Sequence, residues 1–185
     1  MLIVGLGNPG FFYNNTRHNF GSFILNKLAA RWGNPPTHKK FEGLYQKRKM
    51  ESGLIILLQP QSFMNNSGLV VQSFAHYFKL PTQNIIVVHD DITLELGMFK
   101  VKVGGSSGGH NGIKSVADFL DSENFIRVKC GIGTGGKQQT ELKTWVLSRF
   151  SAEEMGKIEG MMPQLLDCLE CTICNGVDKA MNKYN

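Results

Sequence analysis

Leu2-Ile3-Val4-Gly5-Leu6, Leu54-Ile55-Ile56-Leu57-Leu58 and Ile85-Ile86-Val87-Val88 are short, almost wholly apolar runs. Runs of this length without polar alternation read as strands buried on both faces, as in parallel sheets covered by helices. Between and after them, apolar residues recur at helical spacing: Phe20, Phe23, Ile24 and Leu28, then Val70, Phe74 and Tyr77, then Ile113, Val116, Ala117 and Leu120. Alternating strands and helices predict an α/β fold, a single domain over 1–185 with a mixed, mostly parallel central sheet flanked by helices.

Two more segments read as strands of a different kind. In Met98 to Val103, Phe99, Val101 and Val103 share one face while Lys100 and Lys102 share the other. In Ile126 to Cys130, Arg127 and Lys129 alternate with Ile126, Val128 and Cys130. Each strand is expected to have one wet, cationic face. If the two are neighbours they build a basic patch; otherwise they are two ordinary solvated faces. Near the C-terminus, Ser151-Ala152-Glu153-Glu154 fits a capping box. Gly160 and Pro163 are expected to break that helix, and Leu165, Leu166, Leu169, Ile173 and Val177 continue an apolar stripe beyond them. Gly33-Asn34-Pro35-Pro36-Thr37 reads as a surface loop.

The 185 residues are 42% hydrophobic, enough for one compact core. A net charge of +5 favours polyanionic partners, nucleic acid first. Met1 runs straight into Leu2-Ile3-Val4 without a basic region and a long apolar stretch, so no secretory signal and no membrane span is expected, and a cytoplasmic protein is the default. Cys168, Cys171 and Cys174 recur every third residue, but no fourth ligand stands near them. They are expected to be reduced thiols on a helix face, with no metal bound.

Two motifs lack the context their chemistry needs. Gly5-Leu6-Gly7-Asn8-Pro9-Gly10 satisfies the dinucleotide fingerprint, yet Pro9-Gly10 interrupts the turn into a helix and no acid precedes Glu42. Gly105-Ser106-Ser107-Gly108-Gly109 satisfies a nucleophile elbow, but the only later histidine is His110, with no acid between. A third constellation is more coherent. Asn8 follows the first strand, Asn65 follows Leu54 to Leu58, and Asp90 and Asp91 follow Ile85 to Val88. Ligand sites of open α/β sheets form outside the carboxyl ends of the strands. His18 belongs to the long loop after the first strand and can reach the same edge; Asn111 either caps the helix starting near Ile113 or faces the cleft. A histidine with a carboxylate partner is a general base for water, and asparagine amides can donate to an oxyanion. His110 is the rival base, while His38, His76 and His89 read as structural.

At these residues the chain closely resembles the bacterial-type peptidyl-tRNA hydrolase family. The resemblance is carried by VGLGNPG (4–10), Tyr13 followed by TRHN (16–19), QPQSFMNNSG (59–68), VVHDD (87–91), GGSSGGHNG (104–112), NFIRVKCGIG (124–133) and WVLSRF (145–150), in that order. It implies a single-domain α/β enzyme, acting without a cofactor, that cleaves the ester joining a peptide to the terminal ribose of tRNA. His18 would be the base and Asp90 its support. Asn8, Tyr13, Phe63, Asn65 and Asn111 would bind substrate, and Lys102 and Lys129 would hold tRNA phosphate. The family often has arginine where Lys129 stands, and glycine and histidine where Ser106 and Ser107 stand. The expected state is a cytoplasmic monomer.

Overall fold

A computed structural model describes residues 1–185, with side chains at every position except Gln139. The strands are β1 (Leu2–Gly5), β2 (His38–Lys40), β3 (Gly43–Met50), β4 (Gly53–Pro60), β5 (Ile85–Asp91), β6 (Phe99–Val103) and β7 (Ile126–Gly131). The helices are α1 (Phe20–Arg31), α2 (Ser67–Tyr77), α3 (Asn111–Leu120), α4 (Leu142–Val146), α5 (Ala152–Asn175) and α6 (Val177–Tyr184). One seven-stranded sheet runs in the order β2-β3-β4-β1-β5-β7-β6. Its centre, β4-β1-β5-β7, is parallel, and β2, β3 and β6 are antiparallel margins.

The apolar runs are the central strands because both faces of the sheet are covered. Ile3, Ile55, Leu57, Ile86 and Val88 face α1, α5 and α6, while Leu2, Val4, Ile56, Leu58, Ile85 and Val87 face α2 and α3. Each fully buried aliphatic side chain contributes about 1.5–3 kcal/mol of transfer free energy. β2 and β3 have no such runs, and the reading of the sequence does not include them. The residues Tyr45-Gln46-Lys47-Arg48-Lys49 of β3 are exposed or half-buried at the sheet margin, and their register is set by pairing with β4.

Ser151 caps α5 as the sequence indicates: its hydroxyl accepts from Glu154 N, and Glu154 accepts from Ser151 N. Gly160 and Pro163 do not break this helix, which runs unbroken from Ala152 to Asn175. Both lie on its exposed face, so water can satisfy the carbonyl that proline leaves unbonded, and buried Ile158, Met161, Met162, Leu165 and Leu166 hold the chain on either side.

One close approach positions the site. A Cβ on Gly21 would lie 2.2 Å from Val88 O and 2.6 Å from Leu6 N. Only glycine lets the first turn of α1 press on β1 and β5. That contact sets His18, three residues earlier, over Asp90, two residues beyond Val88.

Candidate active site

Asp90 is 2% exposed at the end of β5 and would be costly as a bare buried charge. It is well supplied with donors. His18 Nδ1 lies 3.0 Å from Oδ2 and 3.1 Å from Oδ1, and His110 Nε2 lies 3.0 Å from Oδ1. The two histidines differ in what remains. His110 is the N-cap of α3: its Nδ1 accepts from Gly112 N at 3.1 Å and Ile113 N at 3.3 Å. Its Nε2 therefore carries the proton given to Asp90, and no lone pair is left for a proton from water. His18 directs its Nδ1 proton to Asp90, which leaves the Nε2 lone pair free.

Electrostatics agree with that assignment. Burial alone would lower the His18 pKa, but the Asp90 charge and hydrogen bond outweigh it and raise it above the ordinary value. Burial would raise Asp90, yet His110 and His18 hold it well below the usual carboxylate range. His89, read from the sequence as structural, is buried against the same cluster. Its Nδ1 donates to Asp90 O at 2.8 Å, and burial, aided by His110, depresses its pKa to about 3. It is a neutral packing element beneath the site. His18, Asp90 and His110 each offer an atom that could ligate a metal ion, within 4.8 Å of one another. Each histidine stands at hydrogen-bond distance from Asp90, so each carboxylate oxygen already has an N–H donor.

The other residues singled out in the sequence divide into those drawn together here and those that are not. Asn8 accepts from Met64 N through Oδ1 at 2.8 Å, which ties the loop after β1 to the turn carrying Asn65 and leaves the Asn8 amide N–H groups free. Asn19, which the sequence reading passed over, holds Asn8 in place: Asn8 N donates to its Oδ1 at 2.8 Å, and its Nδ2 donates to Asn8 O at 2.9 Å. Tyr13 and Phe63 meet edge to face with ring centroids 6.3 Å apart. Asn65 and Asn111 are exposed at the same edge, each amide without a partner among the described residues, since Met64 packs against Gly112. Asn111 does not cap α3; it is the first residue of the helix, and His110 caps it.

The cationic strands are neighbours, with Lys100 opposite Lys129 and Lys102 opposite Arg127. Their shared face is only partly wet. Arg127 is buried and donates to the main-chain oxygens of Ser106 and Glu123. Lys129 pairs with Asp91 at 2.5 Å. Lys102 and Lys100 are exposed and make no ion pair among the described residues. Ser107 is followed by Gly108 and Gly109 in left-handed conformations, not by a helix, so the nucleophile elbow does not form. The loop after Gly5 likewise continues through short 3-10 turns before α1, which removes the dinucleotide geometry. Cys130, Cys168, Cys171 and Cys174 are free thiols.

Arg17 also escaped the sequence reading. It is 3% exposed, and its guanidinium lies 3.6 Å over the Trp145 ring. It donates to Glu154 Oε1 at 2.6 Å and Oε2 at 2.8 Å and to Ser148 Oγ at 2.9 Å. This knot fastens the segment before His18 to the start of α5. Its hydrogen-bond partners lie more than 130 residues away, beyond the reach of any local pattern. A partly open cavity of about 280 Å³ lined by Phe20, Phe23, Phe150 and Met155 together with Asn15, Thr16 and Arg149 lies alongside, between α1 and α5.

A family model described as peptidyl-tRNA hydrolase matches residues 2–185. The peptidyl-tRNA hydrolase of Clostridium acetobutylicum is 44% identical over 185 residues, covering 100% of this chain and 97% of the relative. That of a Thermoanaerobacter species is 41% identical over 184 residues, covering 100% and 98%. The crystal structure of peptidyl-tRNA hydrolase from Acinetobacter baumannii superposes with a TM-score of 0.92 at 32% identity, covering 100% of this chain and 93% of that one. The fold, the carboxylate with its two histidines and these matches along the whole length agree: the chain belongs to the peptidyl-tRNA hydrolase family.

Proposed function

We propose that this protein hydrolyses the ester between peptide and tRNA, releasing free tRNA and an N-blocked peptide or amino acid. The observation that carries the reading is the asymmetry of the two histidines on Asp90, one of which keeps a free Nε2. In the proposed reaction a water gives a proton to His18 Nε2 as its oxygen attacks the ester carbonyl. Asp90 fixes the ring and stabilises the imidazolium that forms. Asn65, Asn111 and the Asn8 amide supply donors toward the oxyanion and the peptide carbonyl. The imidazolium then returns its proton to the ribose oxygen as the C–O bond breaks. Tyr13 and Phe63 line the site for the peptide and the tRNA end.

Lys102 holds tRNA phosphate in this reading, and Lys129 does so when it exchanges Asp91 for a phosphate. No cofactor is needed, and the protein acts as a cytoplasmic monomer. Among the described residues no helix is long and apolar enough to cross a membrane. The deciding assay is release of labelled peptide from peptidyl-tRNA by the purified protein, with and without a chelator. Chelator-resistant release supports water attack by His18, and loss of release on chelation would transfer the chemistry to a metal held by His18, Asp90 and His110.

A further inference from the structure

Phe11 and Phe12 are 77% and 86% exposed, more than the other exposed large apolar side chains of the protein. They lie in a 3-10 turn, Phe11–Tyr13, closed by Tyr13 N donating to Gly10 O at 3.1 Å and Asn14 N to Phe11 O at 3.2 Å. Their rings meet edge to face at 6.3 Å and bury nothing in the core. Two adjacent phenyl groups left in water contribute nothing to folding, so the fold does not account for them.

The turn is held firmly in place. Asn8 ties its base to Met64 and Asn19, and Tyr13 rests on Phe63. Tyr13 and Phe63 meet at the end of the site formed by the loops after β1 and β4, and Phe11 and Phe12 immediately precede Tyr13 in the same turn. The free cations Lys100 and Lys102 border the opposite end, on β6, beyond β7. His18 and Asp90 stand between, at the end of β5. The ester has a polyanion on one side and a peptide on the other. With the RNA drawn to the cations, the peptide falls on the aromatic end.

We propose that Phe11 and Phe12 form an apolar subsite for the peptide, taking the side chain of the residue preceding the esterified one. This rests on the hydrolase reading above. A phenyl surface without hydrogen-bonding groups accepts aliphatic and aromatic side chains alike, so the preference is graded, not absolute.

The test uses two N-blocked dipeptidyl-tRNAs that differ only in the penultimate residue, leucine or serine. The wild type is expected to favour leucine by about fivefold in kcat/KM, less than an enclosed pocket would give. In the Phe11→Ser, Phe12→Ser double variant the ratio is expected to fall to about one. No preference in the wild type, or a preference retained by the variant, would overturn the subsite. An equal loss on both substrates, carried in KM, would also overturn it and assign the rings to stacking on unpaired bases of the tRNA end. Absence of peptide release from either substrate by the wild type would instead overturn the hydrolase reading, and the subsite with it.

Discussion

His110 donates through Nε2 to Asp90 Oδ1 across 3.0 Å while its Nδ1 accepts the first free N–H groups of α3. It caps the helix, and in the proposed reaction it positions Asp90 and is not a second base. His110→Ala is expected to remove a cap worth about 1 kcal/mol, lowering Tm by about 2–4 °C. Turnover should fall by about tenfold, because one of the two donors that orient Asp90 is lost. The rising limb of the pH–rate profile should persist, since the proposed base is His18. A variant without that limb would make His110 the base.

Asp90→Asn tests the pairing through pH. His18 must be neutral to take a proton, so the rate rises as pH passes upward through its pKa. The Asp90 carboxylate raises that pKa against burial. With a neutral amide only burial remains, so the rising limb should move to lower pH. The plateau should fall on the order of 10²–10⁴-fold, because an amide neither stabilises the imidazolium nor enforces the tautomer. A limb that stays in place would separate His18 from Asp90.

Lys102 and Lys129 are not equivalent. Lys102→Ala should weaken tRNA binding and flatten the slope of log affinity against log salt by about 0.7–0.9, one phosphate contact. Lys129→Ala should flatten it less, because Asp91 already compensates the Lys129 charge. Asp91→Asn frees that lysine and should steepen the slope. Equal effects of the two lysine variants, with no change on Asp91→Asn, would contradict this account.

Much of this arrangement was legible in the residues. Leu2–Leu6, Leu54–Leu58 and Ile85–Val88 announce buried parallel strands because both faces need apolar side chains, Leu54 alone among them being exposed, and the rule that sites form at strand ends collects Asn8, Asn65 and Asp90. What periodicity identifies is a face, not what covers it. Arg127 alternates like a solvated residue but is buried, because the turn carrying Ser106 folds over it. Lys129 finds Asp91 only because β5 and β7 are neighbours. The histidine roles depend on which nitrogen meets which partner, and no spacing encodes that. Pro163 misled because its effect depends on whether it faces water or core.

Asn8 bears on the choice between blocked and free amino acids. Its Oδ1 is engaged by Met64 N, so its free amide N–H groups are the ones able to meet a peptide carbonyl. A free ammonium lacks that carbonyl and loses hydration in the cleft. Asn8→Ala should reduce kcat/KM for N-acetyl-aminoacyl-tRNA more than for aminoacyl-tRNA, narrowing their ratio. The lost bond to Met64 should also cost about 1 kcal/mol. A lower Tm with an unchanged ratio would leave Asn8 as a tie between loops and nothing more.

The central claim, that His18 Nε2 takes the proton from the attacking water, meets its most direct test in single-turnover release of labelled peptide by His18→Ala. The variant is expected to fold with a lower Tm, because buried Asp90 loses one of its two donors, and to bind tRNA like the wild type, because the ring makes no phosphate contact in the proposed complex. The rate should fall at least about 100-fold, the scale of a lost general base. Release within about tenfold of the wild-type rate, from a folded variant that binds tRNA normally, would contradict it.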